Sequence, residues 1–326
     1  VRNGERWLAN KLDSLLRQEY PQELLEIIVV SDGSTDRTED IVRAYAERGV
    51  KLLVVPHGGK PAALNAAVPH AHGELLLLTD VRQILQPDCL ARLVAVMADP
   101  AIGVVSGDLR IAKGANEEQS QTGLYWRYEN WIRSNLAKVD SMLGATGPLY
   151  VIRRALFVPI PADSLLDDVY LPMSVHLAGH RLVLEQDAIA IDEPTDLKQE
   201  FKRKVRTQAG IIQFVQTFPG LFSAANRMRF HFVSLKLGRL ALPYLMMIIF
   251  LSALALPGDW RPRLFLPQAA FWFLALIDPI FPRGNAVKKL TSLPRAVAVL
   301  VSSALFAVQV LWRSPRDLWV ETRQSR

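Results

Sequence analysis

Three apolar runs near the C-terminus of this 326-residue chain limit what it can fold into. Leu240–Leu256 and Ala296–Trp312 each run 17 residues without a charge, and Leu264–Phe281 runs 18 with only Asp278 inside. A helix that crosses a bilayer needs about 20 apolar residues, with about 17 at the short end of the range. Cations bracket the runs: Lys236 and Arg239 before the first, Arg261 and Arg263 between the first two, Arg313 after the last. Long basic side chains reach back to the interface and so lengthen a short span. Helices of a soluble bundle carry a polar stripe, and these stretches have almost none. The expectation is a membrane region over residues 240–326, with spans near 240–256, 264–281 and 296–312. A basic juxtamembrane segment, residues 211–239, precedes it.

Upstream the pattern changes to short apolar runs alternating with helical stretches. Glu26–Ser31, Lys51–Pro56, Glu74–Thr79 and Ile102–Gly107 read as strands. Helices are expected over Arg6–Glu19, Thr35–Arg48, Pro61–Ala71 and Pro87–Ala98. This alternation predicts an α/β domain over residues 1–210 with a parallel sheet covered on both faces. Val1–Glu5 leads straight into the first helix, whereas a doubly wound sheet opens with a strand. The expectation is therefore a sequence that starts just after one. The single cysteine, Cys89, excludes an intramolecular disulfide and a paired-cysteine zinc site. Neither a GxGxxG turn after a strand nor a GxxxxGK[ST] loop occurs, which removes the dinucleotide fingerprint and the P-loop. The net charge is +6. Arg227, Arg229, Lys236 and Arg239 gather beside the first span, so anionic lipid is the expected counter-surface rather than nucleic acid.

Two acids stand at strand ends, Asp32 after EIIVVS and Asp80 after ELLLLT, with Lys60 and Asn65 on the crossover between them. Ligands of open α/β sheets gather at the carboxyl ends of strands. Carboxylates for a base or ribose and a lysine for phosphate suit a nucleoside diphosphate. An Asp in a turn also commonly caps local backbone, and both readings stay open at this point.

The segments SDGSTDRTEDIV (31–42), GKPAALNAAVPHAHGELLLLTD (59–80) and LDDVYLPMSVHLAGHRL (166–182) resemble, in order and spacing, those of family 2 glycosyltransferases. The resemblance covers about residues 1–210. It implies a GT-A nucleotide-diphospho-sugar transferase domain and an inverting transfer to an acceptor hydroxyl, here a lipid-linked or membrane-proximal glycan. By that resemblance Asp32 contacts the nucleotide base, and Lys60 and Asn65 lie beside the diphosphate and ribose. Asn3 and Glu5 end the first-strand motif near the nucleoside. Asp167 and Asp168 form the acidic pair whose second member is the general base. Asp80 matches the first acid of the family's Asp-x-Asp motif, which implies a Mg²⁺ or Mn²⁺ site. The chain departs from the family at Arg82, where the second acid belongs. Arg82 then either pairs with the leaving diphosphate, caps the strand end or bridges to Asp108.

Where related processive synthases carry Gln-x-x-Arg-Trp, this chain has Arg203-Lys204-Val205-Arg206-Thr207. Arg203 and Arg206 share a helix face and are candidates to clamp the diphosphate. The missing Trp and the small number of spans imply addition of one or few sugars rather than polymer extrusion. Tyr125, Trp126, Tyr128 and Trp131 recur at helical spacing and are expected to pack their helix on its neighbours. Gly144–Gly147, ahead of the apolar strand Leu149–Arg154, resembles the family's Gly-rich segment. The Pro282–Arg295 loop carries Arg283, Lys288, Lys289 and Arg295 and no acid, so the positive-inside rule puts it, and the domain two spans earlier, in the cytoplasm. Two rivals remain. A sugar nucleotidyltransferase would need a Gly-rich basic loop that is missing, and a degraded transferase kept as a membrane scaffold draws its support from Arg82.

Overall fold

The computed structural model describes residues 1–112, 118–193, 197–282 and 285–318. They fall into two compact units. The first comprises Val1–Gly114, Trp126–Pro194 and Pro219–Met228, and the second Ala115–Tyr125, Thr195–Phe218 and Arg229–Arg326.

The first unit opens on α1 (Glu5–Leu16), whose Leu8, Leu12, Leu15 and Leu16 recur at helical spacing. Leu8 and Leu12 pack with Ile27, Val42 and Val50 from β1 (Ile27–Asp32), α2 (Thr38–Ala44) and β2 (Val50–Val55). Each such fully buried Leu contributes about 1.5–3 kcal/mol. β1 and β2 pair in parallel, Ile27 opposite Val50 through Asp32 opposite Val55. Val1 lies alongside β1, its carbonyl accepting from the Asp32 N–H at 2.8 Å. There follow α3 (Lys60–Ala67), β3 (Leu75–Thr79), β4 (Ile84–Leu85), α4 (Cys89–Val96) and β5 (Ile102–Ile111). Then come α5 (Glu118–Val139), β6 (Leu149–Arg153), α6 (Asp167–Leu177) and β7 (Arg181–Asp192).

β3, β6, β5, β7 and β4 form a second sheet in that order. Its directions correct the expectation of an all-parallel sheet. β6 runs antiparallel to both β3 and β5, and β4 antiparallel to β7; only β5 and β7 are parallel. Hydrophobic runs report that a strand exists and not which way it points. β7 escaped notice because Glu185-Gln186-Asp187 breaks its apolar pattern. The ladder jumps there, from Gly107 opposite Glu185 to Asp108 opposite Ile189, so the polar residues occupy a bulge. Leu93, Cys89, Val105, Leu149 and Val151 pack a core between α4 and this sheet. The result is a GT-A-like α/β fold with a mixed sheet.

In the second unit α7 (Leu197–Thr217) packs against α11 (Ala286–Ala307). α8 (Arg229–Phe232) passes through a π-turn at Val233–Leu237 into α9 (Gly238–Ala255), followed by α10 (Trp260–Ile277). Among the described residues three helical stretches are long and apolar enough to cross a membrane: Arg229–Ala255 with 27 residues, Trp260–Ile280 with 21 and Leu290–Leu311 with 22. At 1.5 Å per residue the shortest measures about 31 Å, against a hydrocarbon core of about 30 Å. α11 begins at Ala286, well before the expected run, because Pro294 sits inside the helix instead of ending the loop. An internal Pro forfeits one i→i−4 bond, a loss that helices crossing lipid tolerate; Pro243 and Pro267 do the same in α9 and α10. Asp278 is tied across the hairpin to α11. Its carboxylate accepts from Lys288 Nζ at 2.8 Å and Thr291 Oγ1 at 2.7 Å.

Candidate active site

The site is built where β1 and β3 end and where α3 and α6 begin. At the tip of β1 the buried Asp32 accepts from Gly58 N at 2.7 Å, Gly59 N at 3.0 Å and His57 Nδ1 at 3.0 Å. Its carboxylate thus shapes the turn that delivers α3. Gly59 closes that turn at φ +85°, a conformation that glycine adopts without strain. The next residue, Lys60, sends its ammonium to Asp80 Oδ1 at 2.9 Å, Asp167 Oδ2 at 3.0 Å and the Gly147 carbonyl at 3.2 Å. Burial alone would lower the Lys60 pKa; the Asp167, Asp80 and Asp168 carboxylates outweigh it and raise it above its ordinary value. Burial likewise pushes Asp80 up, but Lys60 holds its carboxyl below the usual range. Three elements distant in sequence therefore meet on one cation.

The acidic pair opens α6, where the helix dipole favours negative charge. Its members differ: Asp167 is 5% exposed and pinned by Lys60, whereas Asp168 is only half-buried. The Asp168 carbonyl accepts from Ala145 N at 2.8 Å. A Cβ added at Gly147 would stand 2.9 Å from Asp168 Oδ2. Gly147→Ala is therefore expected to swing that carboxylate aside and lower turnover about a hundredfold, the scale of a misplacement near 1 Å. The φ of Gly147 suits alanine, so the unfolding temperature should hardly move; turnover measured beside thermal unfolding checks both.

Within the first unit the structure brings Lys60, Asp80, Asp167 and Asp168 together, and the other expected residues have the following partners or places. Asn3 Oδ1 accepts from Thr35 N at 2.8 Å and Glu5 Oε2 from Arg37 N at 3.0 Å, which pins the loop after β1. Asn65 bonds both polar groups of the Ile160 backbone, at 2.7 and 2.9 Å. Arg82 meets Asp192, not Asp108: Nε and Nη2 reach its two oxygens at 2.7 and 2.6 Å. Asp108 is instead held by Arg110 and Asn130. Arg203 and Arg206 stand on α7 of the second unit. Tyr125 and Trp126 lie outside the described side chains. Tyr128 and Trp131 stack with centroids 6.3 Å apart, but they are 54% and 64% exposed, so the expectation that they pack the helix fails for this pair. Their apolar neighbours on α5, Ile132 and Leu136, are the ones that face the core.

Among the described residues no three acids or histidines converge as a metal cage. Asp80 nevertheless fits a single-carboxylate site: Lys60 engages one of its oxygens and its side chain is 40% exposed. Hard divalent ions are held in this way by a carboxylate, substrate phosphates and water.

Lys11 carried no functional signal in the sequence, where it read as the polar face of α1. Its ammonium is buried under the end of β3 and donates to Thr79 Oγ1 at 2.6 Å and the Gln83 carbonyl at 2.8 Å. Burial lowers its pKa to about 7, against the pull of Asp80. From about pH 7 to about 10 the unfolded chain keeps a proton that the folded chain has lost, so stability rises with pH. Unfolding temperatures followed from about pH 7 to about 9 should show that rise in the wild type and lose it in Lys11→Met.

The α/β fold, with its strand-end acids gathered on a lysine, is GT-A-like. Residues 1–158 match the model of the family described as glycosyl transferase family 2. An N-acetylglucosaminyltransferase of Bradyrhizobium diazoefficiens is 30% identical over 221 residues, 61% of this chain and 44% of that protein. The probable glycosyltransferase YdaM of Bacillus subtilis is 26% identical over 249 residues, 71% of this chain and 58% of that protein. The chain thus spans about half the length of these relatives. A mannosyltransferase of Pyrobaculum calidifontis, solved with GDP-Man and Mn²⁺, shares the fold at a TM-score of 0.73 and 23% identity, over 96% of this chain and 85% of that one.

Proposed function

We propose that the chain is an inverting glycosyltransferase that moves N-acetylglucosamine from its nucleoside diphosphate to a hydroxyl of a lipid-linked or membrane-proximal glycan. The observation that carries this reading is the split of the acidic pair. Lys60 engages the buried Asp167, while Asp168 is half-buried at the start of α6 beside Gly147. The donor sugar follows the names of relatives such as the Bradyrhizobium enzyme.

In this scheme Asp168 takes the proton of the acceptor hydroxyl as its oxygen bonds to the anomeric carbon. The bond from that carbon to the diphosphate breaks on the opposite face, and the electron pair leaves with the phosphate oxygen. Lys60 faces the growing negative charge as a preorganised cation. Asp80 would hold Mg²⁺ or Mn²⁺, which supplies further neutralisation of the diphosphate when bound. Asp32 acts indirectly, by fixing the turn that aims Lys60.

The three apolar helices would hold the domain against the cytoplasmic leaflet, and the cations Lys288 and Lys289 in the first turn of α11, just before the span that starts at Leu290, favour that side. Without the Trp of the processive motif at Thr207, we expect one or few sugars per encounter. The test is purified full chain in detergent, given UDP-GlcNAc or GDP-mannose with glycan and lipid-extract acceptors. Release of UDP and an acceptor heavier by one or few N-acetylhexosamines is the expected result. A ladder reaching long polymer overturns the non-processive reading. Neither binding nor consumption of any nucleotide sugar leaves the scaffold reading in its place.

A further inference from the structure

No residue of the donor scheme reads the nucleotide base. The family resemblance implies that Asp32 makes this contact, yet Asp32 is 5% exposed and its carboxylate is occupied. Oδ1 accepts from Gly58 N at 2.7 Å and Gly59 N at 3.2 Å, and Oδ2 from Gly59 N at 3.0 Å and His57 Nδ1 at 3.0 Å. A carboxylate has about four acceptor positions, and these contacts fill them. The side chain that reaches outward from the same cluster is His57, which is 51% exposed. A carboxylate can only accept, so the ring directs its Nδ1–H at Asp32, and the lone pair of the neutral imidazole stands on Nε2. Among the described residues Nε2 has no hydrogen-bond partner.

Two strand ends place this ring. His57 follows β2, whose end pairs with that of β1, Asp32 opposite Val55. Gly33, the residue after Asp32, donates to the Val55 carbonyl at 3.0 Å, and a Cβ added there would stand 2.9 Å from His57 Cβ. The turns that leave β1 and β2 therefore touch at His57. Three residues further on, the second of these turns delivers Lys60 to Asp80 and Asp167. In the proposed scheme Lys60 faces the diphosphate, and Asp168, next to Asp167, faces the sugar being transferred. The nucleoside, at the other end of the diphosphate, then lies away from Asp168, over the carboxyl ends of β1 and β2. Between Val55 and Lys60 the chain reads Pro56-His57-Gly58-Gly59, so His57 carries the one polar side chain that this turn can present to a base.

We propose that His57 is a specificity-determining residue for the nucleobase: Asp32 fixes the ring through Nδ1, and Nε2 accepts the N3–H of uracil. The proposal rests on the donor reading above. Cytosine carries a lone pair where uracil carries N3–H, so with CDP two acceptors would face each other and stay unpaired. The test is the affinity of purified full chain in detergent for UDP and for CDP, in wild type, His57→Phe and His57→Gln. Phenylalanine keeps a ring and loses the acceptor, whereas glutamine restores an acceptor oxygen. The side chain is half exposed, so both variants should fold. Wild type is expected to prefer UDP over CDP by about tenfold, the scale of one polar group left without its partner. His57→Phe should lose most of that preference, and His57→Gln should regain part of it. The ratio of the two affinities decides, because a ring that merely held the turn would weaken UDP and CDP alike. A ratio that is the same in His57→Phe and wild type overturns the proposal, as does wild type binding UDP and CDP equally well. Wild type that binds neither nucleotide removes the donor reading, and the proposal with it.

Discussion

Asp168→Asn is expected to lower turnover by about a thousandfold while leaving affinity for the nucleotide sugar within a few-fold of wild type. Asparagine keeps the shape but loses the negative charge and the capacity to accept a proton. The half-buried position beside Gly147 should tolerate the amide without unfolding. Asp167→Asn is the contrasting change. Its target is buried and shares the Lys60 ammonium with Asp80, so it should weaken donor binding and stability together. Binding titrations paired with single-turnover rates separate the two residues. If the Asp168 variant loses donor affinity as steeply as turnover, the assignment of the base is wrong.

The contrast also shows what the sequence made legible. Strand-end acids and a crossover lysine were visible because ligands of α/β sheets collect at carboxyl ends. Lys60, Asp80 and the acidic pair do meet there. What the sequence could not express was competition for partners. Asn3, Glu5 and Asn65 have the right types for a nucleoside site, and in the fold each also bonds a neighbour, Thr35, Arg37 and Ile160 in turn. Arg82 offered three readings, and its actual partner lay on a strand that the polar bulge of β7 had hidden. Lys11 sits on an amphipathic helix at a position that pattern reading assigns to solvent. Only the packed fold shows that it lies under the end of β3. The apolar helices were legible because uninterrupted hydrophobicity needs no partner to be recognised. The start of α11 was misplaced because Pro294 resembles a boundary.

Asp192→Ala should cost about 3–5 kcal/mol of stability, the scale set by stranding one member of a buried ion pair. Arg82 and Asp192 are 17% and 5% exposed and meet through two bonds of 2.7 and 2.6 Å, a fork-to-carboxylate geometry. Asp192 also accepts from the Glu193 N–H at 2.8 Å and ends the strand that pairs with β4. Truncating it leaves the guanidinium without its carboxylate, and the unfolding temperature should fall by many degrees. The loss is largely the penalty of an uncompensated charge rather than the net worth of the pair. Replacing both partners, Arg82→Met with Asp192→Leu, should therefore recover most of the lost stability. The same double variant asks whether Arg82 also serves the diphosphate. With the fold restored, an affinity for UDP-GlcNAc equal to wild type makes Arg82 a structural substitute for the family's second acid. A loss of affinity that survives the recovery of stability would put its charge back into the donor site.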